Sequence, residues 1–165
     1  MKRHRKRILA ATGLAALGAL VATALIVVPA LATPPSGATV TPLAPVGQFD
    51  EIDAKAKDKT DHWKAKIKTE GVSDLHIVEV TIQPGGTLGW HSHPGLSFVI
   101  VKSGTATFYD GDDPSCTPHV IQAGSTAFEP AGHVHIVRNE GSVPLVNVVV
   151  QLVPTGAPRL RWPPI

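Results

Sequence analysis

Two histidine pairs carry most of the chemistry this sequence could perform. His91-Ser92-His93 and His133-Val134-His135 each set two imidazoles one residue apart. Side chains in a β-strand alternate between faces, so a strand would present both rings of a pair on one side. Were the two strands neighbours, up to four imidazoles would converge on one point. Imidazole nitrogen suits zinc, iron, copper, nickel and, less strongly, manganese, so the pattern points to a divalent transition-metal site. The alternative is a pocket for an organic ligand in which the histidines bind no metal.

The elements that must position these residues are short. From about His62 onward, runs of Val, Ile, Leu, Thr and Phe are cut by Gly and Pro. Leu75–Ile82 stops at Pro84-Gly85-Gly86, Ser97–Val101 at Ser103-Gly104, and Thr105–Tyr109 at Asp110-Gly111. Further runs are His119–Gln122, Thr126–Phe128, His133–Arg138 and Val143–Val153. Closely spaced short strands with turn residues between them indicate a sandwich or barrel. No segment after Lys68 has a helical period, and the expected fold class is all-β.

The N-terminus reads differently. Met1–Arg7 holds five of the fifteen lysines and arginines, an uncharged apolar run covers Ile8–Val28, and Pro29-Ala30-Leu31-Ala32-Thr33 contains a small-x-small cleavage pattern. Residues 1–32 are therefore expected to be a signal peptide or a membrane anchor. Under either reading the remainder is extracytoplasmic, secreted or anchored to the membrane by residues 8–28. After residue 32, ten lysines and arginines face thirteen aspartates and glutamates, a formal charge of −3. That sign offers no electrostatic attraction to nucleic acid. The single cysteine, Cys116, excludes an intramolecular disulfide, so an exported domain must rest on its hydrophobic core.

Residues 33–61 are expected to link this segment to a domain spanning 62–165. Thr33–Val46, rich in Pro, Ala, Thr and Gly, reads as a flexible or partly extended tether, and Asp50–Lys57 as a short solvated helix.

Within that domain two motifs resemble the cupin superfamily. Gly85, five residues, His91-Ser92-His93, three residues, Ser97, six residues and Gly104 match the spacing of the first cupin motif. Gly124, five residues, Pro130-Ala131-Gly132, two residues, His135, three residues and Asn139 match the second. The resemblance spans about Ser73 to Pro154. It implies a small single-domain cupin, a jelly-roll-like double-stranded β-helix barrel, with His91, His93 and His135 as metal ligands. The sequence departs from the family at Ser97, which stands where the first motif ordinarily has a ligand glutamate.

Three site chemistries follow from that departure. A neutral three-histidine face could hold the metal with its other positions open. His133 is a candidate fourth ligand, sharing parity with His135, although Pro130-Ala131-Gly132 just before it could break the register. The third is the metal-free pocket. Ser97 should face the site, while Glu79 and Glu129 are candidates for pocket bases or acceptors of histidine N–H groups. Asn139 is expected to be a structural turn residue, and a Cys116/His119 metal pair is not expected.

The functional expectation is an exported or membrane-tethered metalloenzyme acting on a small molecule. Its chemistry would be dioxygenase-like with iron, or another metal-assisted reaction with zinc, manganese, nickel or copper. The alternative is a non-catalytic cupin that captures a metal or small ligand, since one fold hosts both kinds of function. Phe98–Val101 and Val146–Val150 are apolar on both faces, so the outer face should be covered by the N-terminal segment or by a second subunit in a homodimer.

Overall fold

The computed structural model describes residues 33–162, and the expected signal or anchor segment lies outside them. No helix among the described residues is long and apolar enough to cross a membrane. The described residues form eleven strands: β1 (Ser36–Pro42), β2 (Gly47–Phe49), β3 (Asp53–Lys57), β4 (Lys64–Lys68), β5 (Ser73–His91), β6 (Leu96–Ser103), β7 (Thr105–Asp110), β8 (His119–Gln122), β9 (Thr126–Glu129), β10 (His135–Arg138) and β11 (Leu145–Pro154). Nine of them build one sheet along the path β8-β7-β10-β5-β11-β6-β9, with β1 and β2 added to β5. Every pairing is antiparallel.

The alternation that identifies these strands also fills the barrel. Along β11, Leu145, Asn147, Val149, Gln151 and Val153 are buried while the residues between them are only partly so. Val78, Val80 and Ile82 of β5, Val99 and Val101 of β6, Phe108 of β7 and Val137 of β10 meet Leu145 and Val149 in one apolar cluster. Ile82, Val101 and Leu145 are fully buried, and burial of such a side chain contributes roughly 1.5–3 kcal/mol. On the outer face, Phe98, Ile100 and Phe128 remain about half exposed, with the Phe98 and Phe128 rings 5.2 Å apart.

Three expectations are corrected. Residues 36–42 are extended but are not a free tether: β1 pairs with β5, Val40 opposite Val80. The alternation of Ala38, Thr39, Val40 and Thr41 suits a strand, and the free edge of β5 supplies its partner. Asp50–Lys57 is not a helix either, because β3 forms a hairpin ladder with β4, Ala54 opposite Ile67 and Ala56 opposite Ala65. Small or apolar residues at every second position have the period of a strand, and the lysine-rich charges lie exposed between them. Finally, the run beginning at Leu75 does not stop at Pro84. It bends and continues as β5 to His91.

Gly85 and Gly86 permit that bend. Gly85 has φ +76°, and a Cβ on Gly86 would lie 2.7 Å from the Ser36 carbonyl oxygen. Asn139 then holds the bend from the side. Its Nδ2 donates to the carbonyls of Ile82 and Val143, both at 2.8 Å, and its Oδ1 accepts from Gly141 N–H at 3.0 Å. Its backbone exchanges hydrogen bonds with Gly85 and Gly86. The bend lets one strand lie against β11 over its first half and reach β10 with its last residues.

Candidate metal centre

The end of β5 and the start of β10 bring two histidines together directly, because His91 and His135 are cross-strand partners. His93 follows two residues after His91, where the chain leaves the strand. The turn Pro130-Ala131-Gly132 holds it there through Gly132 N–H, which donates to the His93 carbonyl at 2.8 Å. The ring centroids lie 5.0 Å apart for His91 and His93, 4.5 Å for His91 and His135, and 5.2 Å for His93 and His135. All three residues are buried, and one nitrogen from each lies within 4.8 Å of the others.

The outer nitrogens of all three rings are tied to backbone. His91 Nδ1 donates to the Gly89 carbonyl at 2.8 Å, His93 Nδ1 to Arg159 at 3.1 Å, and His135 Nδ1 to His133 at 3.1 Å. A neutral imidazole has one N–H, so each ring then turns a lone-pair Nε2 toward the cluster. The Gln151 side-chain amide lies 2.7 Å from His93 Nδ1. With its oxygen toward the ring it becomes a second acceptor, which also provides a partner for the otherwise unpaired Oε1. Burial, followed by repulsion from His135, lowers the His91 pKa to about 4, so this ring is neutral at ordinary pH.

Glu129, at the end of β9, is the acid of this site. Its Oε2 lies 2.9 Å from His93 Nε2 and its Oε1 3.2 Å from His135 Nε2. Burial acts to raise the Glu129 carboxyl, but contact with His135 and His93, where those rings carry a proton at Nε2, outweighs it and holds the group well below the usual carboxylate range. The buried Nε2 atoms of His93 and His135 meet no partner other than this carboxylate. Electron-rich nitrogens facing a carboxylate fit a cation between them, so the donor set suits a divalent transition metal.

The other candidates are placed elsewhere. His133 precedes β10, so strand parity with His135 does not apply to it. Its Nε2 faces Asp110 at 3.6 Å and Asp112 at 3.8 Å instead. Glu79 points away from Val78 and Val80, the cavity-lining residues on either side of it, and accepts a hydrogen bond from Lys102 at 2.8 Å. Cys116 is exposed, and His119 pairs with Asp110 at 3.3 Å. Ser97 is fully buried, with its Oγ unpaired.

Two openings meet the cluster. An inner cavity of about 30 Å3 is lined by His91, His93, Glu129, Gln151, Arg159 and apolar neighbours. A groove of about 290 Å3 lined by Asp110, His119, Phe128 and His133 reaches Glu129 and His135 from outside. The C-terminal segment closes over His91: Ser92 and Arg161 exchange two backbone hydrogen bonds of 2.9 Å, and the Trp162 ring lies 6.0 Å from the His91 ring. Sequence reasoning missed Gln151 and the Arg159 carbonyl. Gln151 had a signal, being a long polar residue on the inward parity of an otherwise largely apolar β11.

Residues 78–151 match the family described as a cupin domain. No curated protein matches the chain. Among solved structures, the polyketide cyclase RemF from Streptomyces resistomycificus is 17% identical, with 78% of this chain and 73% of that one covered and a TM-score of 0.52. A cupin-like protein from Thermotoga maritima is 22% identical over 55% of this chain and 65% of that one, with a TM-score of 0.47. The oxalate decarboxylase of Lactobacillus farciminis is 26% identical over 53% of this chain and 26% of that one, with a TM-score of 0.46. The likeness to the cyclase is one of fold.

Proposed function

We propose that the barrel whose residues 78–151 are a cupin domain binds a divalent transition metal through Nε2 of His91, His93 and His135, and acts with it on a small oxygen-bearing molecule. One observation carries this reading: three buried imidazoles have their Nδ1 atoms tied to carbonyls, and one nitrogen from each lies within 4.8 Å of the others. A bound metal would supply Lewis acidity there or, if it were iron, dioxygen chemistry.

The chain's own residues do the rest. Gln151 and the Gly89, Arg159 and His133 carbonyls hold the rings in one tautomer. The C-terminal segment and Val78, Val80 and Val99 keep water from the inner side. The groove past His133 and Phe128 is the route for a substrate, and it reaches Glu129 and His135 at its floor. We further propose that residues 1–32 carry this domain out of the cytoplasm, as a cleaved signal or a retained anchor.

A second reading is a non-catalytic module that captures a metal ion. The inner cavity favours it, since about 30 Å3 accommodates an ion or a single water and little more.

Metal content of the full chain, purified without chelator and compared with His91→Ala, tests the shared premise. Stoichiometric metal lost in the variant is expected. Absence of metal after reconstitution with iron, zinc, manganese, nickel and copper would overturn both readings. Oxygen uptake by the iron-loaded protein with chelating diketones, thiols or phenols then separates enzyme from binding module.

A further inference from the structure

Position 97 should carry a carboxylate if the first motif followed its family, and it carries a serine. Ser97 on β6 lies directly opposite Glu129 on β9 in the antiparallel ladder. Directly opposed residues share a face, with Cβ atoms about 5 Å apart. A glutamate is long enough to cover that distance, and serine is short enough to leave the space for it. Ser97 Oγ is buried and unpaired, so it does not compete for the carboxylate.

We propose that Glu129 is the carboxylate ligand of this metal site, supplied across the sheet from β9 in place of the residue at position 97. The proposal rests on the three-histidine reading above and adds to it. Two donor atoms bound to one ion at about 2.0–2.2 Å and roughly right or tetrahedral angles are about 3 Å apart. Glu129 Oε2 to His93 Nε2 is 2.9 Å and Oε1 to His135 Nε2 is 3.2 Å. Because those nitrogens bear lone pairs when Nδ1 carries the proton, carboxylate oxygens this near repel them unless a metal cation or an added proton lies between. The site is then three neutral nitrogens and one anion, and a divalent ion in it keeps a net charge of +1 rather than +2. Such a site attracts anionic substrates less strongly than the bare three-histidine face would.

Cobalt(II) and zinc titrations of the full chain test this, with affinity read by competition against a chromogenic chelator and cobalt geometry by its visible absorption. The variants are Glu129→Gln, Glu129→Ala and Glu129→Ala combined with Ser97→Glu. Glu129→Gln preserves shape and guards against loss of the fold. Both single variants are expected to bind cobalt and zinc 10-fold to 1,000-fold more weakly, with altered cobalt bands at saturation. Adding Ser97→Glu, which returns a carboxylate to β6, is expected to recover most of the affinity. Unchanged affinity in the single variants would overturn the proposal, as would weaker binding with the cobalt spectrum unchanged, the signature of a carboxylate that only supports the rings. Metal bound tightly through His91 but indifferent to Glu129 refutes this proposal alone. A full chain that takes up neither metal refutes the three-histidine reading and this proposal with it.

Discussion

Ser97 and Glu129 are cross-strand partners, and the carboxylate absent from the first position is present at the second, 2.9 Å from His93 Nε2. The same row continues on the other side, where Gln151 of β11 lies opposite Ser97. Three strands thus place an amide, a hydroxyl and a carboxylate side by side on the inward face. The amide touches the outer nitrogen of His93 and the carboxylate its inner one. This row fixes the His93 ring from both ends.

That row makes Gln151 a determinant of metal affinity although it offers the metal no atom. Gln151→Leu keeps volume and suits the apolar neighbours Val149 and Val153, but removes the amide from His93 Nδ1. Loss of a group that orients a ligand imidazole ordinarily costs 10-fold to 100-fold in metal affinity. A weakening of about 10-fold is expected for zinc, measured by chelator competition, because the Arg159 carbonyl remains as a partner. Unchanged affinity would mean that Arg159 alone sets the ring.

His133→Ala should leave metal affinity within about 2-fold of the parent. His133 stacks on His135 at a centroid distance of 6.0 Å, yet its Nε2 faces Asp110 and Asp112, not the buried nitrogens. The ring lies on the outer groove, so under the enzyme reading KM for a small-molecule substrate is the quantity expected to change. A large loss of metal would restore His133 as a ligand.

Strand content and the three-histidine cluster were legible because each depends on local pattern. Period-two burial marks β11 residue by residue, and the resemblance of the two motifs to the cupin superfamily nominated His91, His93 and His135, which the structure brings into one cluster. What was not legible depends on register between strands distant in sequence. Glu129 meets Ser97 only through the β6–β9 ladder, so the sequence showed a carboxylate lost at one position without showing where another replaced it. His133 shares sequence parity with His135, but it precedes β10, following the turn at Pro130-Ala131-Gly132 that the sequence marks as a break in register. The β1 segment looked like a tether because its few strand-forming residues gain their partner only from the edge of β5.

Asn139→Ala is expected to destabilise the fold by about 3 kcal/mol, read as a lower urea midpoint. The residue is fully buried and its side chain makes three hydrogen bonds, to Ile82, Val143 and Gly141. Truncation leaves buried carbonyls unpaired, at about 1–3 kcal/mol each, partly relieved where Val143 meets solvent. The effect should reach the site as well, because these bonds hold the bend that carries β5 to His91. A loss below about 1 kcal/mol would mean that Gly85 and Gly86 keep the bend unaided.

The metal-free protein should lose stability as pH falls from about 6.5 to about 4. In the folded chain, burial and the neighbouring His135 and His93 lower the His91 pKa to about 4, while Glu129 opposes them; in the unfolded chain it returns to about 6.5. Between those values the unfolded state binds a proton that the folded state does not, so stability rises with pH through the window and is flat in this group above it. A shift of this size corresponds to roughly 3 kcal/mol. Glu129 acts in the same direction further down: its carboxyl is held below its ordinary range, so its contribution is present above about pH 4.5 and is lost as pH falls toward its folded value. Urea unfolding in chelator across pH 4 to 8, for the parent and for His91→Asn, separates the two. The variant should flatten the profile between about pH 4.5 and 6.5 and retain the drop below it. An equally steep profile in His91→Asn would show that the proton uptake belongs to another group.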